Sequence, residues 1–163
     1  MEKGGRNMLE NRMELRFASI SQNEALARTV AAAFATQLNP TIEELTDIRT
    51  AVSEAVTNAI VHGYRGREDG LVRMSAEYGD RRLLTVVIRD EGCGIADVEK
   101  AMQPFYSTGD GAERSGMGFC VMQTFMDAVE VDSAVDRGTT VTMRKYITGE
   151  VGLHRERMLD EIG

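Results

Sequence analysis

Apolar residues alternate with polar ones in some stretches of the chain and recur every three or four residues in others, and the switches between the two periods mark its elements. Met13-Glu14-Leu15-Arg16-Phe17 alternates and predicts a half-buried strand. Behind it, Ser21 and Glu24 have the spacing of a helix-opening capping box. Leu26, Val30, Phe34 and Leu38 then recur every fourth residue through an alanine-rich stretch that Asn39-Pro40 stops. A second box, Thr41 and Glu44, opens the clearest helix of the chain, with Ile42, Leu45, Ile48, Val52, Val56 and Ile60 as its apolar stripe and Gly63 at its end. Val72, Met74, Ala76 and Tyr78 alternate again, as do Leu84, Val86 and Ile88 after the turn Gly79-Asp80, which is the pattern of an antiparallel hairpin.

A short helix is expected from Ile95 to Met102, stopped by Pro104. The stretch 103–115 has Gly109-Asp110-Gly111 at its centre and no period, so a mobile loop is expected there. A helix beginning near Gly116 carries Phe119, Met122 and either Phe125 or Met126 on its apolar face, and two alternating strands follow, Ala128 to Asp132 and Thr140 to Tyr146. Residues 1–12 are polar and patternless, a loose extension or a start misplaced ahead of Met8 or Met13, and 149–163 read as a frayed tail. The domain is therefore expected over 13–148, in the order strand, two helices, two strands, helix, loop, helix, two strands. That order predicts an α+β fold, a two-layer α/β sandwich with helices on one face of a mixed, mostly antiparallel sheet.

Composition narrows the setting. With 163 residues, 42% of them hydrophobic, the chain suits one domain with a real core. No apolar run approaches the roughly 20 residues a bilayer crossing needs, and the start lacks the apolar stretch of a secretion signal, so a cytoplasmic protein without a membrane segment is expected. A net charge of -7 argues against direct nucleic-acid binding and leaves a basic protein partner open. Cys93 and Cys120 have neither metal-ligand spacing nor the numbers for a disulfide framework.

Four short segments carry candidate chemistry. Glu54 and Asn58 lie four apart and project from one side of their helix, away from its apolar stripe. An amide oxygen suits magnesium, which takes its other ligands from water and phosphates, and a carboxylate one turn away can orient or deprotonate a nucleophile. Taken alone, such a pair is more often two solvated residues. Asp90 follows a strand and precedes Gly92 and Gly94, so the backbone can turn sharply beside a carboxylate able to accept a hydrogen bond from an exocyclic amine. Gly116 and Gly118 open a helix whose free N–H groups could hold phosphate oxygens, with Arg114 close behind. Gly138-Thr139-Thr140 brings small hydroxyls to the start of the last strand. Each segment is weak singly and specific in this order.

In that order, Ser53-Glu54-Ala55-Val56-Thr57-Asn58-Ala59-Ile60-Val61-His62-Gly63-Tyr64, Arg89-Asp90-Glu91-Gly92 and Glu113-Arg114-Ser115-Gly116-Met117-Gly118-Phe119 resemble the nucleotide-binding domain shared by gyrase, Hsp90-type chaperones, histidine kinases and mismatch-repair ATPases. Within it they are most similar to the branch of sporulation anti-sigma factors that are also serine kinases, over roughly 13–147. The resemblance implies the histidine-kinase-like ATPase fold and a homodimer that holds the sporulation sigma factor F in an ATP-bound complex. It also implies phosphorylation, and so inactivation, of an anti-anti-sigma factor on a serine. On that resemblance Glu54 is the catalytic base and Asn58 the magnesium ligand. Asp90 contacts adenine, Gly92, Gly94, Gly116 and Gly118 shape the pocket, Arg114 reaches phosphate, Thr140 lies near the nucleobase, and Arg28 sits on the partner surface.

One departure is Ser107-Thr108-Gly109-Asp110-Gly111, which replaces a threonine-threonine-lysine-proline-like stretch and removes a phosphate-facing lysine. Two other readings remain open. An ATPase or the ATP-binding half of a histidine kinase is disfavoured because neither His62 nor His154 lies on a dimerising helical segment. A non-catalytic anti-sigma module that uses ATP only to hold its shape is disfavoured by Glu54.

Overall fold

The computed structural model describes residues 8–104 and 118–149. Its five strands are β1 (Leu9–Ala18), β2 (Leu71–Gly79), β3 (Leu83–Asp90), β4 (Ala128–Ala134) and β5 (Gly138–Tyr146), and its α-helices are α1 (Gln22–Ala35), α2 (Ile42–Thr57), α3 (Val98–Ala101) and α4 (Gly118–Phe125). The strands form one sheet in the order β1-β2-β3-β5-β4. Every neighbouring pair is antiparallel, so the expected mixed sheet narrows to an antiparallel one. β1 starts at Leu9 rather than Met13, because Leu9, Asn11 and Arg12 pair with Gly79, Tyr78 and Glu77 of β2 across a bulge. Backbone pairing does not require the apolar alternation from which the strand is read.

The expected capping box at Ser21 is absent. Ser21 is helical, at φ -61° and ψ -29°, and makes no side-chain cap, whereas a capping residue needs an extended backbone. The Glu24 amide is taken by the Ser21 carbonyl at 3.2 Å instead. The Thr41–Glu44 box is present in both directions, Glu44 N–H to Thr41 Oγ1 at 3.1 Å and Thr41 N–H to Glu44 Oε2 at 2.9 Å. Glu44 also accepts from Thr148 N–H at 2.8 Å and Gly149 N–H at 3.1 Å, so one carboxylate caps α2 and fastens the chain leaving β5.

The buried face of α1 is turned from the expected one. Ala27, Ala31 and Ala35 are buried beside Phe34, whereas Leu26 is 46% exposed and Val30 half-buried. α1 packs on α2, where Ala51 and Ala55 are buried, and small side chains on both helices permit close approach. Along α2 the stripe holds from Ile48 through Val52 and Val56, but its first member, Ile42, stays exposed. On α4 the alternatives resolve to Met126, which is buried, whereas Phe125 is half-buried. The helix-facing side of the sheet, including Met74, Val86 and Met143, closes the core against α2 and α4.

Candidate active site

Past Thr57, α2 widens into a π-helical turn over Asn58–Gly63, with Tyr64 N–H bonding to the Ala59 carbonyl five residues back at 3.0 Å. Such turns free carbonyls and recur at functional sites. Here Gly63 O accepts from Cys93 N–H at 2.9 Å and His62 O from Cys93 Sγ at 3.2 Å, which fastens the turn after β3 to the helix end. The Tyr64 hydroxyl donates to Leu71 O at 2.6 Å and accepts from Glu91 N–H at 2.8 Å, holding the same turn from its other side.

Glu54 and Asn58 lie on one side of α2, as their spacing predicts, and α4 begins against both. A methyl group at Gly118 would lie 3.1 Å from Asn58 Nδ2 and 3.4 Å from Glu54 Oε2, so Gly118 admits the two functional side chains. Asp90 sits at the end of β3, 5% exposed, and accepts hydrogen bonds from the amides of Gly92, at 2.9 Å, and Thr139. Gly92 and Gly94 serve backbone packing more than ligand room. A methyl group on Gly92 would lie 2.2 Å from the Gly63 carbonyl oxygen, and one on Gly94, at φ +71°, would lie 1.9 Å from that of Ala134.

Between the π-helical turn and the sheet lies a cavity of about 580 Å³, the size of a small-molecule site, lined by Asn58, Asp90 and Gly94 among the expected residues. Thr140 does not line the cavity. In β5 it pairs with Arg89 and Asp132 on the sheet face away from the helices, and Thr139 lines the cavity in its place. A strand places successive side chains on opposite faces, so an error of one residue changes the face. Thr139 Oγ1 is joined to Ser133 Oγ at 2.8 Å, and Ser133 accepts from Ile95 N–H at 2.8 Å, which ties the β4–β5 turn to the loop after Gly94. Arg114 and Gly116, with most of the expected loop 103–115, lie outside the described residues. His62, Arg65, Cys93 and Phe119 also line the cavity. His62 falls four residues after Asn58, a spacing that could have signalled it.

Burial pushes the Asp90 carboxyl above its usual range, against the lowering effect of the Gly92 and Thr139 amides. Glu54 is raised as well, first by burial and then by the negative charge of Glu24. Burial lowers His62, favouring the neutral imidazole.

Glu54 borders a shallow cleft between α1 and α2, shared with Arg28, Thr46, Arg49, Thr50 and Ser53. Glu24 bridges the two helices there, accepting from Ser53 Oγ and, at 3.3 Å, from Arg28 Nη1. Glu54 therefore lines the open charged cleft, one helical turn before Asn58, which lines the cavity.

Residues 17–145 match the model of the histidine kinase-like ATPase domain. The chain belongs to this family. A domain of this family implies ATP binding. Proteins named anti-sigma F factor are similar over nearly their whole lengths. The protein from Clostridium beijerinckii is 55% identical over 138 residues, 85% of this chain and 96% of that protein. The one from Thermoanaerobacter sp. (strain X514) is 58% identical over 137 residues, 84% and 94%, and that from Priestia megaterium is 49% identical over 145 residues, 89% and 99%. Among solved structures, the RsbU and RsbW domains of a Mycobacterium tuberculosis protein superpose with a TM-score of 0.62 at 15% identity, covering 85% of this chain and 33% of that one. The mycobacterial sensor histidine kinase MprB gives 0.54 at 16%, covering 82% and 97%. Both likenesses concern the shared α+β fold of these ATPases.

Proposed function

We propose that this histidine kinase-like ATPase is an anti-sigma factor that binds the sporulation sigma factor F and, as an ATP-dependent serine kinase, phosphorylates and inactivates its anti-anti-sigma factor. The anti-sigma role is supported by relatives of that name at 49–58% identity. One observation carries the kinase reading: Glu54 lines a cleft open to solvent one helical turn from Asn58, which lines the cavity. A nucleotide seated beside Asp90 and Asn58 presents its terminal phosphate toward α4, and a protein hydroxyl enters from the cleft. The serine oxygen forms a bond to the γ-phosphorus, the bond to the β–γ bridging oxygen breaks, ADP leaves, and the serine proton passes to the Glu54 carboxylate late in transfer.

Asp90 accepts from the exocyclic amine of adenine, and Thr139 replaces Thr140 beside the base. Gly118 lets α4 start against Asn58 and Glu54, while Arg114 and Gly116 complete the phosphate side in this reading. Among the described residues no group of three histidine, cysteine or acidic side chains forms a metal cage. The donor set, a single amide beside a carboxylate, fits magnesium, which is held largely by phosphates and water. The ion would sit on Asn58 and neutralise phosphate charge during transfer. A homodimer that seats partners at Arg28 completes the proposal, and its action is cytoplasmic, with no direct nucleic-acid contact.

Incubation with γ-labelled ATP, magnesium and a purified anti-anti-sigma protein should place label on one serine of that protein. Label released only as free phosphate would replace the kinase reading with an ATPase, and co-purification with a sigma factor that is equal with and without magnesium-ATP would remove nucleotide-gated binding.

A further inference from the structure

Arg65 occupies a backbone position that disfavours it. Just beyond the π-helical turn, Arg67 N–H closes on Tyr64 O at 3.0 Å, and the two residues inside this turn, Arg65 and Gly66, have φ of +53° and +83°. Two positive φ values in succession are the pattern of a type I′ turn, whose first central place takes glycine, asparagine or aspartate at least cost. An arginine there is strained, and strain of this kind collects at ligand sites. The side chain does not hold the turn. Arg67 pairs with Asp69 at 3.2 Å, whereas among the described residues Arg65 forms no ion pair or hydrogen bond.

Arg65 is exposed and yet lines the cavity, so it belongs to the rim. Val61 and Val135, both exposed, line the same rim. The two ends of the cavity are distinct. A methyl group on Gly118 would lie 3.1 Å from Asn58 Nδ2, which marks the α4 end, and one on Gly63 would lie 2.8 Å from Asp90 Oδ1, which marks the other. Arg65 follows Gly63 by two residues and so stands at the Asp90 end, away from the side given to the phosphates.

Resting on the placement of the nucleobase at Asp90, we propose that Arg65 is a further nucleotide-binding residue, whose guanidinium lies over the open face of the base and closes the rim of the cavity on it. A guanidinium is flat, always charged and weakly hydrated, so it stacks on an aromatic face at little cost in lost water. Val61 and Val135 add an apolar lip that the ring shields from solvent. Asp90 takes the edge of the ring through its exocyclic amine, and Arg65 covers its face. The contact acts on ATP and ADP alike, because both carry the same base.

Calorimetric titration of the full chain with ATP and with ADP, each with magnesium, tests this clasp without depending on phosphate transfer. Arg65→Gly removes the side chain and suits the positive φ, so it should hold the thermal midpoint at or above the parent value while weakening ATP and ADP by one common factor, roughly 3- to 30-fold. Arg65→Ala should lose as much affinity, and Arg65→Lys, a cation without the flat face, should fall between. In Arg65→Gly, 2′-deoxy-ATP should weaken by the same factor as ATP. Parent affinity in Arg65→Gly overturns the clasp. A loss confined to ATP assigns Arg65 to phosphate, and a smaller loss for 2′-deoxy-ATP assigns it to the sugar; either result overturns the contact with the base. Should Asp90→Asn leave ATP affinity at the parent value, the placement of the base falls and the clasp with it, whereas a loss in Asp90→Asn beside parent affinity in Arg65→Gly overturns the clasp alone.

Discussion

On the sheet side of α2, Asp90 is almost fully buried and held by two backbone amides, whereas on the α1 side Glu24 and Glu54 stand in a half-open cleft among long side chains. The cavity is shaped by main chain: the π-helical turn, the two glycine approaches and the Cys93 and Tyr64 bonds fix the Asp90 turn against the helix end. The cleft is shaped by charges whose partners can be exchanged. A ligand common to every catalytic cycle suits the first kind of wall, since preorganised groups need not be ordered on binding. Protein partners that come and go suit the second, because a half-exposed ion pair is weak and easily replaced.

Substitutions should separate the two walls. Glu54→Gln is expected to have the largest effect, a fall of about 10²- to 10⁴-fold in serine phosphorylation with ATP affinity unchanged, as for loss of a general base. Parallel labelling rates and calorimetric titration check it, and a full rate with normal ATP binding would rule out the base. Asp90→Asn should weaken ATP by about 10- to 100-fold, the value of a hydrogen bond to a charged acceptor. Its thermal midpoint should stay within a few degrees, because relief of a buried charge offsets one lost amide acceptor. Tyr64→Phe removes the acceptor for Glu91 N–H and the donor to Leu71 O, and should cost about 1–3 kcal/mol in denaturant unfolding along with weaker ATP binding. The proposed partner contact at Arg28 should change little in that variant once it is folded.

The smallest effect is a pH dependence, and it has opposite signs in two places. Asp90 and Glu54 are raised in the folded state, so their contribution to stability is greatest below their unfolded values near 3.8 and 4.5 and falls as pH rises through the folded ones. Glu44 is the reverse. Burial pushes it up, but hydrogen bonds from Thr148, Thr41 and Gly149 outweigh burial and hold it below 4.5. Its contribution is complete above that value and is lost as pH falls through its folded one. Glu44→Gln should therefore flatten the acid side of the stability profile, and Asp90→Asn should flatten the decline on the other side. Chemical denaturation across pH 3 to 7 would show whether both slopes stay unchanged, the result that contradicts these assignments.

The Thr41–Glu44 box, the α2 stripe from Ile48 onward, the β2–β3 hairpin and the Glu54–Asn58 pair were legible because each depends on neighbours within one element. α1 shows the limit of that reading. Leu26 and Val30 suggest one buried face, yet the alanines Ala27, Ala31 and Ala35 are buried, since close packing on α2 favours small side chains over large ones. Ser21 shows it again, because the turn out of β1 gives it a helical backbone that no spacing rule reports.

The sequence by itself determined the order of the elements, the side of α2 that carries Glu54 and Asn58 and the carboxylate at the end of β3, since all three follow from local period and turn residues. Only the tertiary structure decided that Thr139 rather than Thr140 faces the cavity, that Cys93 and Tyr64 hold the Asp90 turn, and that Glu24 reaches from α1 to the neighbour of Glu54. Those outcomes depend on strand register and helix packing, which bring together residues distant in the chain and leave no periodic mark upon it.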